Sequence, residues 1–579
     1  MTPTYNCVHL SLGYSWPKMR PFVLGFRNHM RLSLSLDNFR YNSRNPGPRR
    51  RNHISACEHV ISKSTDELDQ LKKPQNSLDY RELGIQQEIF INSKYSPGSP
   101  ILLPKGTRIF NKLVEYLRMQ YDEFGFQEVI SPIVYKSSLW KTSGHVENYA
   151  DDMYSVTGRG AYGTQNGEQE GQNEDYGLKP MNCPGHCLIF ASKKRSYRDL
   201  PLRYAEFSPL HRNEIAGALS GLSRVRRFHQ DDGHIFCRPS QIQGEIQKTL
   251  DFMKLTYKAL GIGQYRLALS TRPQDAFIGS VDEWDKAESA LTKSLQDSGV
   301  EWTINERDGA FYGPKIDIII RGADGREHQT ATIQLDFQLP KRFQLNYQAP
   351  APKMEQIGQI CTDPELIKIE GQVTPVLIHR AILGSVERIM AILIDYYKGF
   401  WPFWLNPNQV VVITVNDSPE VLDYAHQTKR IIQGLDNSDH SVTKRRNERG
   451  IESDLAKIYT VISDKPVEVR HKIAAAKRQH YGIIVLVGPR DVKAQTISVD
   501  FSGIPNLNEY TDNILRKIIT KAKHFQHGDR SEWEDDNLDV ESVEPVNRDT
   551  KTGVKVPNQI ALPAKWLRSI LQELQRAYS

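Results

Sequence analysis

The spacing of apolar positions predicts two domains. Between residues 84 and 400, helix-like and strand-like patterns follow one another without a linker. Residues 203–207 and 225–236 have the pattern of strands, and residues 376–382 predict a third strand. Gly384 breaks that strand, and Ser385 can cap a helix whose apolar residues recur at helical spacing.

A second domain is predicted to begin near Asn406. Pro402 and Pro407 stop any helix at this point, and residues 410–415 form a short apolar run that predicts a buried strand. The chain then alternates strands with helices, which favours a small α/β domain: helix 418–433, strand 483–487, strand 496–500 and helix 508–523. Ten lysines and arginines lie between residues 444 and 478. This stretch either binds a phosphate backbone or is a solvated helix face.

The two ends of the chain differ from its middle. Residues 1–57 contain nine lysines and arginines and a single acid, Asp37. This composition is typical of an organelle transit peptide, and the alternative is a disordered basic arm that binds RNA. Residues 58–83 are predicted to be a linker, and the polar, glycine-rich residues 157–177 a mobile surface insertion. Residues 526–579 are predicted to be an acidic linker and a tail. An apolar stripe in that tail leaves open whether its helix docks: Trp566, Ile570, Leu571 and Leu574.

Composition narrows the class of protein only slightly. The 579 residues are 39% hydrophobic and 25% charged, which is ordinary for a soluble enzyme and excludes collagen-like, coiled-coil and wholly disordered chains. No run of 18 apolar residues predicts a transmembrane helix. The net charge of +6 permits a nucleic-acid partner without requiring one. Six cysteines without a CxxC pair favour a reducing compartment.

One predicted strand directs a set of polar side chains to one side. Alternate residues of a strand share a face, which here carries Arg224, Arg226, Phe228, Gln230, Asp232 and His234. Such a row is either the solvated face of an antiparallel sheet or a platform for a ligand. Phe228 among these charges is unusual for a merely wet surface and favours the ligand platform.

Two arginines outside this row suit an anionic ligand. Arg212 lies in the loop between the first two strands, where its guanidinium fits a phosphate or carboxylate and the nearby Glu214 could accept from an amino group. The alternative is an Arg212–Glu214 surface pair. Arg388 falls in the first turn of the predicted helix, where a cation opposes the helix dipole, so a bound anion would favour it. By spacing alone, Cys183, His234 and His379 match no local zinc pattern.

Three stretches together resemble the motifs of class II aminoacyl-tRNA synthetases. EFGFQEVISPIVYKSSLW is similar to motif one, with Pro132 at the dimer-forming strand; RYAEF, HRNE and RRFHQDDGHIF are similar to motif two, and ILGSVERI to motif three. The blocks KPMNCPGH, AFYGPKIDI, TIQLDF and PVLIHRAILGSVER, with HRNE and QDDGHIF, narrow the resemblance to threonyl-tRNA synthetases. It implies an α+β catalytic domain on an antiparallel sheet over residues 84–400, followed by an α/β anticodon-binding domain over residues 406–525.

The resemblance implies one Zn²⁺ per subunit, bound by Cys183, His234 and His379. One thiolate and two imidazoles suit Zn²⁺ and leave coordination positions open. The amino and hydroxyl groups of threonine would fill them, so that valine, which lacks the hydroxyl, is rejected. The other residues that the resemblance assigns to the threonine pocket are Met181, Gln230, Asp232 and Tyr312.

For ATP with Mg²⁺, the resemblance implies that Arg212 holds the α-phosphate and Glu214 reads the adenine amino group. Phe228 and Arg388 would sandwich the adenine, with Arg388 also reaching the γ-phosphate. The remaining roles would be outer phosphates for Arg224, the ribose region for Gln329 and Thr332, activation for Lys315, and transfer to tRNA for His145, to which a near-neutral pKa is suited. The implied catalytic residues are therefore Arg212, Arg388, Lys315 and His145.

The short N-terminal region distinguishes this chain from most members of that family. Only about 80 residues precede the catalytic pattern, too few for an editing domain once a transit peptide is removed. The layout resembles the short fungal mitochondrial form, which implies ligation of threonine to tRNA(Thr) by a homodimer in the mitochondrial matrix, without stable membrane association. Measurable activation of serine is expected, because one methyl group gives only ~1–3 kcal/mol of discrimination. The alternatives are a catalytically silent synthetase-like RNA-binding or regulatory protein, and a class II ligase for serine or proline.

Overall fold

The computed structural model describes residues 79–156, 175–274, 277–321, 325, 327–435, 457–505 and 560–576. All of them belong to one compact unit. Several predictions lie outside these residues: the transit peptide, most of the linker and of the 157–177 insertion, the start of the basic stretch, helix 508–523 and the acidic segment before residue 560.

The described residues form twenty-one strands. They are β1 Phe90–Ile91, β2 Ile101–Leu102, β3 Gln127–Glu128, β4 Val134–Lys136, β5 Ser155–Val156, β6 Tyr176–Leu178, β7 Leu202–Glu206, β8 Pro209–His211, β9 Arg227–Cys237, β10 Tyr265–Ser270, β11 Trp302–Asn305, β12 Lys315–Arg321, β13 Glu327–Asp336, β14 Tyr347–Pro350, β15 Glu370–Val373, β16 Val376–Ser385, β17 Val410–Thr414, β18 Thr460–Ser463, β19 Ile483–Val487, β20 Ile497–Asp500 and β21 Ile560–Leu562.

The α-helices of the same residues are α1 Tyr80–Gln86, α2 Pro104–Phe124, α3 Ser137–Ser143, α4 His145–Tyr149, α5 Cys183–Ala191, α6 Ile242–Ala259, α7 Val281–Ser298, α8 Leu339–Arg342, α9 Pro352–Gln356, α10 Pro364–Ile367, α11 Val386–Tyr397, α12 Pro419–Ile432, α13 Val469–Arg478, α14 Pro489–Ala494 and α15 Ala564–Arg576. Helix α1 begins inside the segment predicted to be a linker, because Asp79 caps it. Strand β6 likewise includes Tyr176 and Gly177, the last residues of the predicted insertion.

A largely antiparallel sheet organises the first domain. Its order is β11-β10-β12-β13-β16-β9-β7-β3, with β8 paired to β9 outside this path. The strands predicted at residues 203–207, 225–236 and 376–382 correspond to β7, β9 and β16, and β16 lies between β9 and β13. The sequence-distant stretches that carry the predicted polar residues are therefore neighbours at the centre of the sheet.

A buried ion pair supports the back of this sheet. The guanidinium of Arg380 on β16 contacts the carboxylate of Asp231 on β9 at 3.1 Å, and both side chains are fully buried. Three aromatic rings surround the guanidinium: Tyr121, Phe126 and Phe252. Asp231 also accepts from the backbone of Ile382 and Leu383. The polar groups behind the pocket therefore tie β9 and β16 to α2 and α6.

A mixed sheet forms the second domain, in the order β18-β17-β19-β20-β21. Strands β17, β18 and β19 are parallel, whereas β20 and β21 add antiparallel strands. Strand β17, helix α12 and strands β19 and β20 confirm the predicted elements to within about one residue. The junction is packed, because every residue from 401 to 414 is buried and Trp401 donates to Gln87 of the first domain.

The end of the second domain differs from the predicted boundary at residue 525. Residues 560–562 form β21, the edge strand of its sheet, and α15 packs its apolar side against α12. Leu567, Ile570, Leu571 and Leu574 are buried in that domain's core, whereas Trp566 lies at its margin. The stripe therefore docks, which the sequence had left open.

The described helices contain no segment with the length and apolar character of a membrane span.

Candidate active site

A pocket of about 280 Å³ opens on the central sheet and is lined by residues of β9, β13 and β16. Strand pairing sets His234 beside His379 and Asp232 beside Ala381. Of the sixteen residues predicted for the site, fourteen line this pocket, and Lys315 and His145 do not. The alternating row is confirmed for Phe228, Gln230, Asp232 and His234, but Arg226 instead donates to the backbone oxygen of Glu214.

The candidate metal ligands meet at the inner end of the pocket. Ligand atoms of Cys183, His234 and His379 all lie within 4.8 Å of one another, and all three residues are buried. Cys183 begins α5, whereas the two histidines face each other across β9 and β16. Spacing in the sequence could not reveal this group, because pairing of two distant strands creates it.

Hydrogen bonds at the far side of each ring orient the two histidines. His379 Nε2 lies 2.9 Å from Asp336 Oδ2, and His234 Nδ1 lies 2.8 Å from His186 Nδ1. The two ring nitrogens that remain available to bind a metal, His234 Nε2 and His379 Nδ1, are 2.9 Å apart. Two ring nitrogens directed at each other beside a sulfur suit a cation such as Zn²⁺.

Electrostatics at the three ligands also fits a cation. Burial raises the pKa of the Cys183 thiol well above its ordinary value, and nearby Asp232 adds to this. Burial and the neighbouring His186 and His379 lower the pKa of His234. Burial therefore keeps the imidazole neutral, as a metal ligand must be, while a thiolate at Cys183 requires a positive partner.

The predicted threonine-pocket residues surround this group. Tyr312 packs against the ring of His379 at a centroid distance of 5.3 Å. Asp232 Oδ2 accepts from Asn182 at 3.1 Å, and its other oxygen lies 3.9 Å from His234 Nε2. Burial raises the pKa of Asp232. A small molecule bound beside Cys183, His234 and His379 would therefore also meet the Asp232 carboxylate and the Tyr312 side chain.

Three arginines line the same pocket, close enough for their charges to interact: Arg212, Arg224 and Arg388. Desolvation, followed by the charges of Arg212 and Arg224, lowers the pKa of Arg388. Ser385 caps α11 by accepting from the Arg388 backbone, as predicted, and Arg388 Nε donates to Ser223 O. The cluster is electrostatically unfavourable by itself, so it suits a polyanion.

Glu214 pairs with a different arginine from the one considered in the sequence. Its carboxylate accepts from Arg224 at 2.9 Å, whereas Arg212 donates weakly to the backbone oxygen of Pro180. Arg212 also stacks over Phe228, with its guanidinium carbon 5.0 Å from the ring centroid. Phe228 is only 7% exposed because Leu210 and Val225 pack against it. Phe228 is therefore a buried ring whose edge borders the pocket.

Asp317 organises the outer wall and was missed in the sequence. Its carboxylate accepts from Lys315 at 2.9 Å, from Thr332 at 3.0 Å and from Gln329. Burial would lower the pKa of Lys315, but Asp317 and Asp308 raise it overall. Lys315 and Asp317 alternate on one strand, and this alternation is the signal that could have identified Asp317.

His145 lies beside the pocket rather than in it. It is buried, with Nδ1 2.8 Å from Ser143 Oγ and Nε2 3.3 Å from the sulfur of Met181. Burial lowers its pKa to about 4, so the structure does not have the near-neutral pKa that the sequence led us to expect. His145 lines a small neighbouring cavity that Tyr312 also lines.

The sheet, with its arginine-lined pocket, has the architecture of a class II aminoacyl-tRNA synthetase core. A family model described as the class II tRNA synthetase core domain (G, H, P, S and T) matches residues 164–362. A crystal structure described as the RNA-binding domain of threonyl-tRNA synthetase from Cryptosporidium parvum aligns with a TM-score of 0.61 and 39% identity, over 73% of this chain and 93% of that one.

Two curated relatives narrow the family. The probable mitochondrial threonine–tRNA ligase of Schizosaccharomyces pombe is 45% identical over 74% of this chain and 85% of its own length. The probable cytoplasmic threonine–tRNA ligase 1 of Dictyostelium discoideum is 42% identical over 79% of this chain and 56% of its own length. The chain belongs to the threonyl-tRNA synthetase family.

Proposed function

We propose that the protein ligates threonine to tRNA(Thr) in two steps, through a threonyl-adenylate formed from ATP. The observation that carries this proposal is the joint presence, in one pocket, of the Cys183, His234 and His379 group and the cluster of three arginines. Neither feature alone defines the reaction. Together they provide a site for a small amino acid next to a site for a triphosphate.

Zn²⁺ is the metal that the three ligands suit best. When bound, it would act as a Lewis acid for the amino and hydroxyl groups of threonine and so distinguish threonine from valine. Asp232 would accept from the threonine hydroxyl, and Gln230, Tyr312 and Met181 would form the walls. Serine retains both coordinating groups and lacks only a methyl, so we expect measurable serine activation.

The arginines would stabilise the charge that develops during adenylate formation. Arg212 would hold the α-phosphate that the threonine carboxylate attacks, and Arg224 and Arg388 would hold the outer phosphates. Mg²⁺ bound with ATP would offset part of the phosphate charge. Phe228 would offer one face to the adenine, and Arg388 would cover the other. Lys315, held in an ion pair with Asp317, would reach the nucleotide. Gln329 and Thr332 would contact the ribose.

Transfer to tRNA would use both domains. We assign residues 84–400 to catalysis, and the α/β domain from residue 406, together with residues 560–576, to anticodon binding. The described part of the basic stretch supports RNA binding through exposed side chains such as Lys457, Lys465 and Arg478. Lys472 is excluded from that role, because it is buried and donates to Thr414. His145 would assist the transfer step.

ATP–pyrophosphate exchange tests this function directly. The purified protein should catalyse exchange with threonine, more weakly with serine and not with valine or proline, and should contain about one zinc ion per subunit. A folded, zinc-loaded protein without threonine-dependent exchange would favour the regulatory, catalytically silent alternative. Exchange driven best by serine or proline would instead assign a different ligase.

We also propose that the protein acts in the mitochondrial matrix. The support is the basic, acid-poor composition of residues 1–57. Similarity alone does not decide the compartment, because mitochondrial and cytoplasmic relatives have comparable identity. Residues 1–57 fused to a fluorescent protein should direct it to mitochondria, and a diffuse cytosolic signal would contradict this.

A homodimer is proposed from the motif-one segment. Three large apolar side chains in the segment around Pro132 are at least 39% exposed: Ile130, Ile133 and Val134. Burying them against a second copy would remove this apolar patch from water. Light scattering should give twice the chain mass, and Ile130→Asp should give a monomer. Ile360→Asp is the matched control, because Ile360 is equally exposed on the segment between α9 and α10.

A further inference from the structure

A buried chain of polar side chains leads away from the candidate metal group. His186 on α5 is completely buried, with Nδ1 2.8 Å from His234 Nδ1 and Nε2 3.0 Å from Glu206 Oε2. Glu206 is also completely buried. Its Oε1 accepts from Ser131 N and Lys179 Nζ, each at 2.8 Å. None of these residues contacts the ligand side of the pocket, so substrate binding does not explain them.

The hydrogen-bonding capacity of each group limits where the protons can be. The ionised carboxylate of Glu206 only accepts, so His186 Nε2 carries a proton. A neutral His186 then has a bare Nδ1, which can only accept a proton from His234 Nδ1. His234 Nε2 is therefore left bare and directed at His379 Nδ1.

Asp336 has the same effect on the second ring. Its Oδ1 accepts from the backbone of Gln338 and Leu339, and its Oδ2 faces His379 Nε2 at 2.9 Å. The proton of His379 is thus held on Nε2, and Nδ1 is bare. With neutral rings, this distribution leaves both ligating nitrogens free for a metal.

We propose that Glu206, acting through His186, is a positioning residue that holds His234 in the tautomer able to bind the metal. This inference rests on the proposed function, because it assumes that Cys183, His234 and His379 bind Zn²⁺. Glu206 and His186 touch neither substrate nor metal. Their effect is on metal affinity, for which hydrogen-bond partners of a ligating histidine are typically worth 10–100-fold.

Glu206→Gln is expected to move the protons of His186 and His234 to their opposite ring nitrogens, while keeping a side chain of the same length. The Oε1 position faces two obligatory donors, Ser131 N–H and the Lys179 ammonium, so the amide oxygen must occupy it. The amide NH₂ then takes the Oε2 position and donates to His186 Nε2. His186 must carry its proton on Nδ1 and donate to His234 Nδ1, which moves the His234 proton onto the ligating Nε2.

The experiment measures Zn²⁺ affinity of the full-length protein by competition with a chromogenic chelator. Glu206→Gln should bind Zn²⁺ 10–100-fold more weakly than wild type. The KM for threonine should rise while the KM for ATP stays unchanged, and added Zn²⁺ should restore exchange activity. Glu355→Gln is the matched control, because it removes a buried carboxylate that binds Arg238 and Tyr347 away from the histidines.

Variants of His186 distinguish an effect on the His234 tautomer from a general loss of stability. His186→Asn places an amide oxygen near the Nδ1 position, where it can still accept from His234, but the shorter side chain cannot reach Glu206. In this background Glu206→Gln should no longer weaken Zn²⁺ binding. His186→Phe, which has no acceptor, should bind Zn²⁺ more weakly than His186→Asn.

Three results would overturn the inference while leaving the proposed function intact. They are a Glu206→Gln protein with wild-type Zn²⁺ affinity, equal losses in Glu206→Gln and Glu355→Gln, and an undiminished loss in the His186→Asn background. If Glu206→Gln does not fold, the Zn²⁺ affinities of His186→Asn and His186→Phe test the proposal instead. Equal Zn²⁺ affinities of these two variants would refute it. Wild-type protein that binds no Zn²⁺ would overturn the proposed metal site itself, and this inference with it.

Discussion

Gly384 provides the sharpest test of how the fold positions the arginine cluster. It lies near the end of β16, one residue before the Ser385 cap of α11, and adopts a φ of +71°. A Cβ at this position would lie 2.1 Å from the backbone oxygen of Thr330 on β13. Because real Cβ contacts essentially never fall below 3.0 Å, Gly384→Ala must move the two strands apart by at least 0.9 Å.

That displacement acts on the groups that would bind ATP. Gly384 lines the pocket together with Arg388, and Thr332 follows Thr330 on the neighbouring strand. A displacement of about 1 Å at a reacting centre costs on the order of 100-fold in rate. A non-glycine residue in the left-handed region also costs about 1–2 kcal/mol of stability. We therefore expect kcat/KM for threonine-dependent ATP–pyrophosphate exchange to fall about 10–100-fold.

Gly261→Ala separates the two contributions. Gly261 has a φ of +64°, but a Cβ there would meet nothing within 4 Å, and the residue lies just beyond α6, outside the pocket lining. This variant should lose a similar amount of stability in urea unfolding and keep wild-type exchange. Wild-type exchange in Gly384→Ala, or equal losses in both variants, would refute the argument from strand separation.

Three further outcomes follow from the described contacts. Arg380→Met should lower the free energy of unfolding by about 3–5 kcal/mol in urea, because it leaves the buried Asp231 without its ion-pair partner. Burial raises the Asp231 pKa to about 7 although Arg380 lowers it, so without Arg380 the folded-state pKa rises further. Since a raised folded-state pKa makes stability fall with increasing pH, the variant should continue to lose stability above pH 7, where the wild-type contribution levels off. Leu571→Ala should destabilise the second domain by about 2–5 kcal/mol, because Leu571 is fully buried, and an unchanged urea midpoint would mean that α15 is dispensable. Prolonged chelation should abolish threonine-dependent exchange, and Zn²⁺ but not Mg²⁺ should restore it; activity that survives zinc removal would contradict the metal assignment.

Local periodicity predicted those parts of the protein that depend on neighbouring residues. Alternation placed Phe228, Gln230, Asp232 and His234 on one face, because a strand has no other way to arrange them. The Ser385 cap and the start of α11 followed from the same kind of local rule. For these elements, the sequence already contained the geometry.

Properties that depend on tertiary pairing could not be predicted in this way. Residue types and spacing do not show that β16 lies beside β9, so only family resemblance suggested the metal group. The burial of Phe228 depends on β8, which covers it with Leu210. Glu206, Asp336 and His186 were overlooked because each comes from a different element and none belongs to a periodic pattern. The docking of α15 was equally undecidable, since its partner, α12, lies well over 100 residues earlier.

The wide separation of the three ligands along the chain also affects how a metal would stabilise the protein. Cys183 and His234 are 234 − 183 = 51 residues apart, and His234 and His379 are 379 − 234 = 145 apart. An unfolded polypeptide cannot hold such distant groups together cheaply, so it competes poorly for the ion. By mass action, an ion at a thousand times its dissociation constant would add about 4 kcal/mol to the native state alone. The melting temperature would then report how fully the metal site is occupied, without any measurement of catalytic activity.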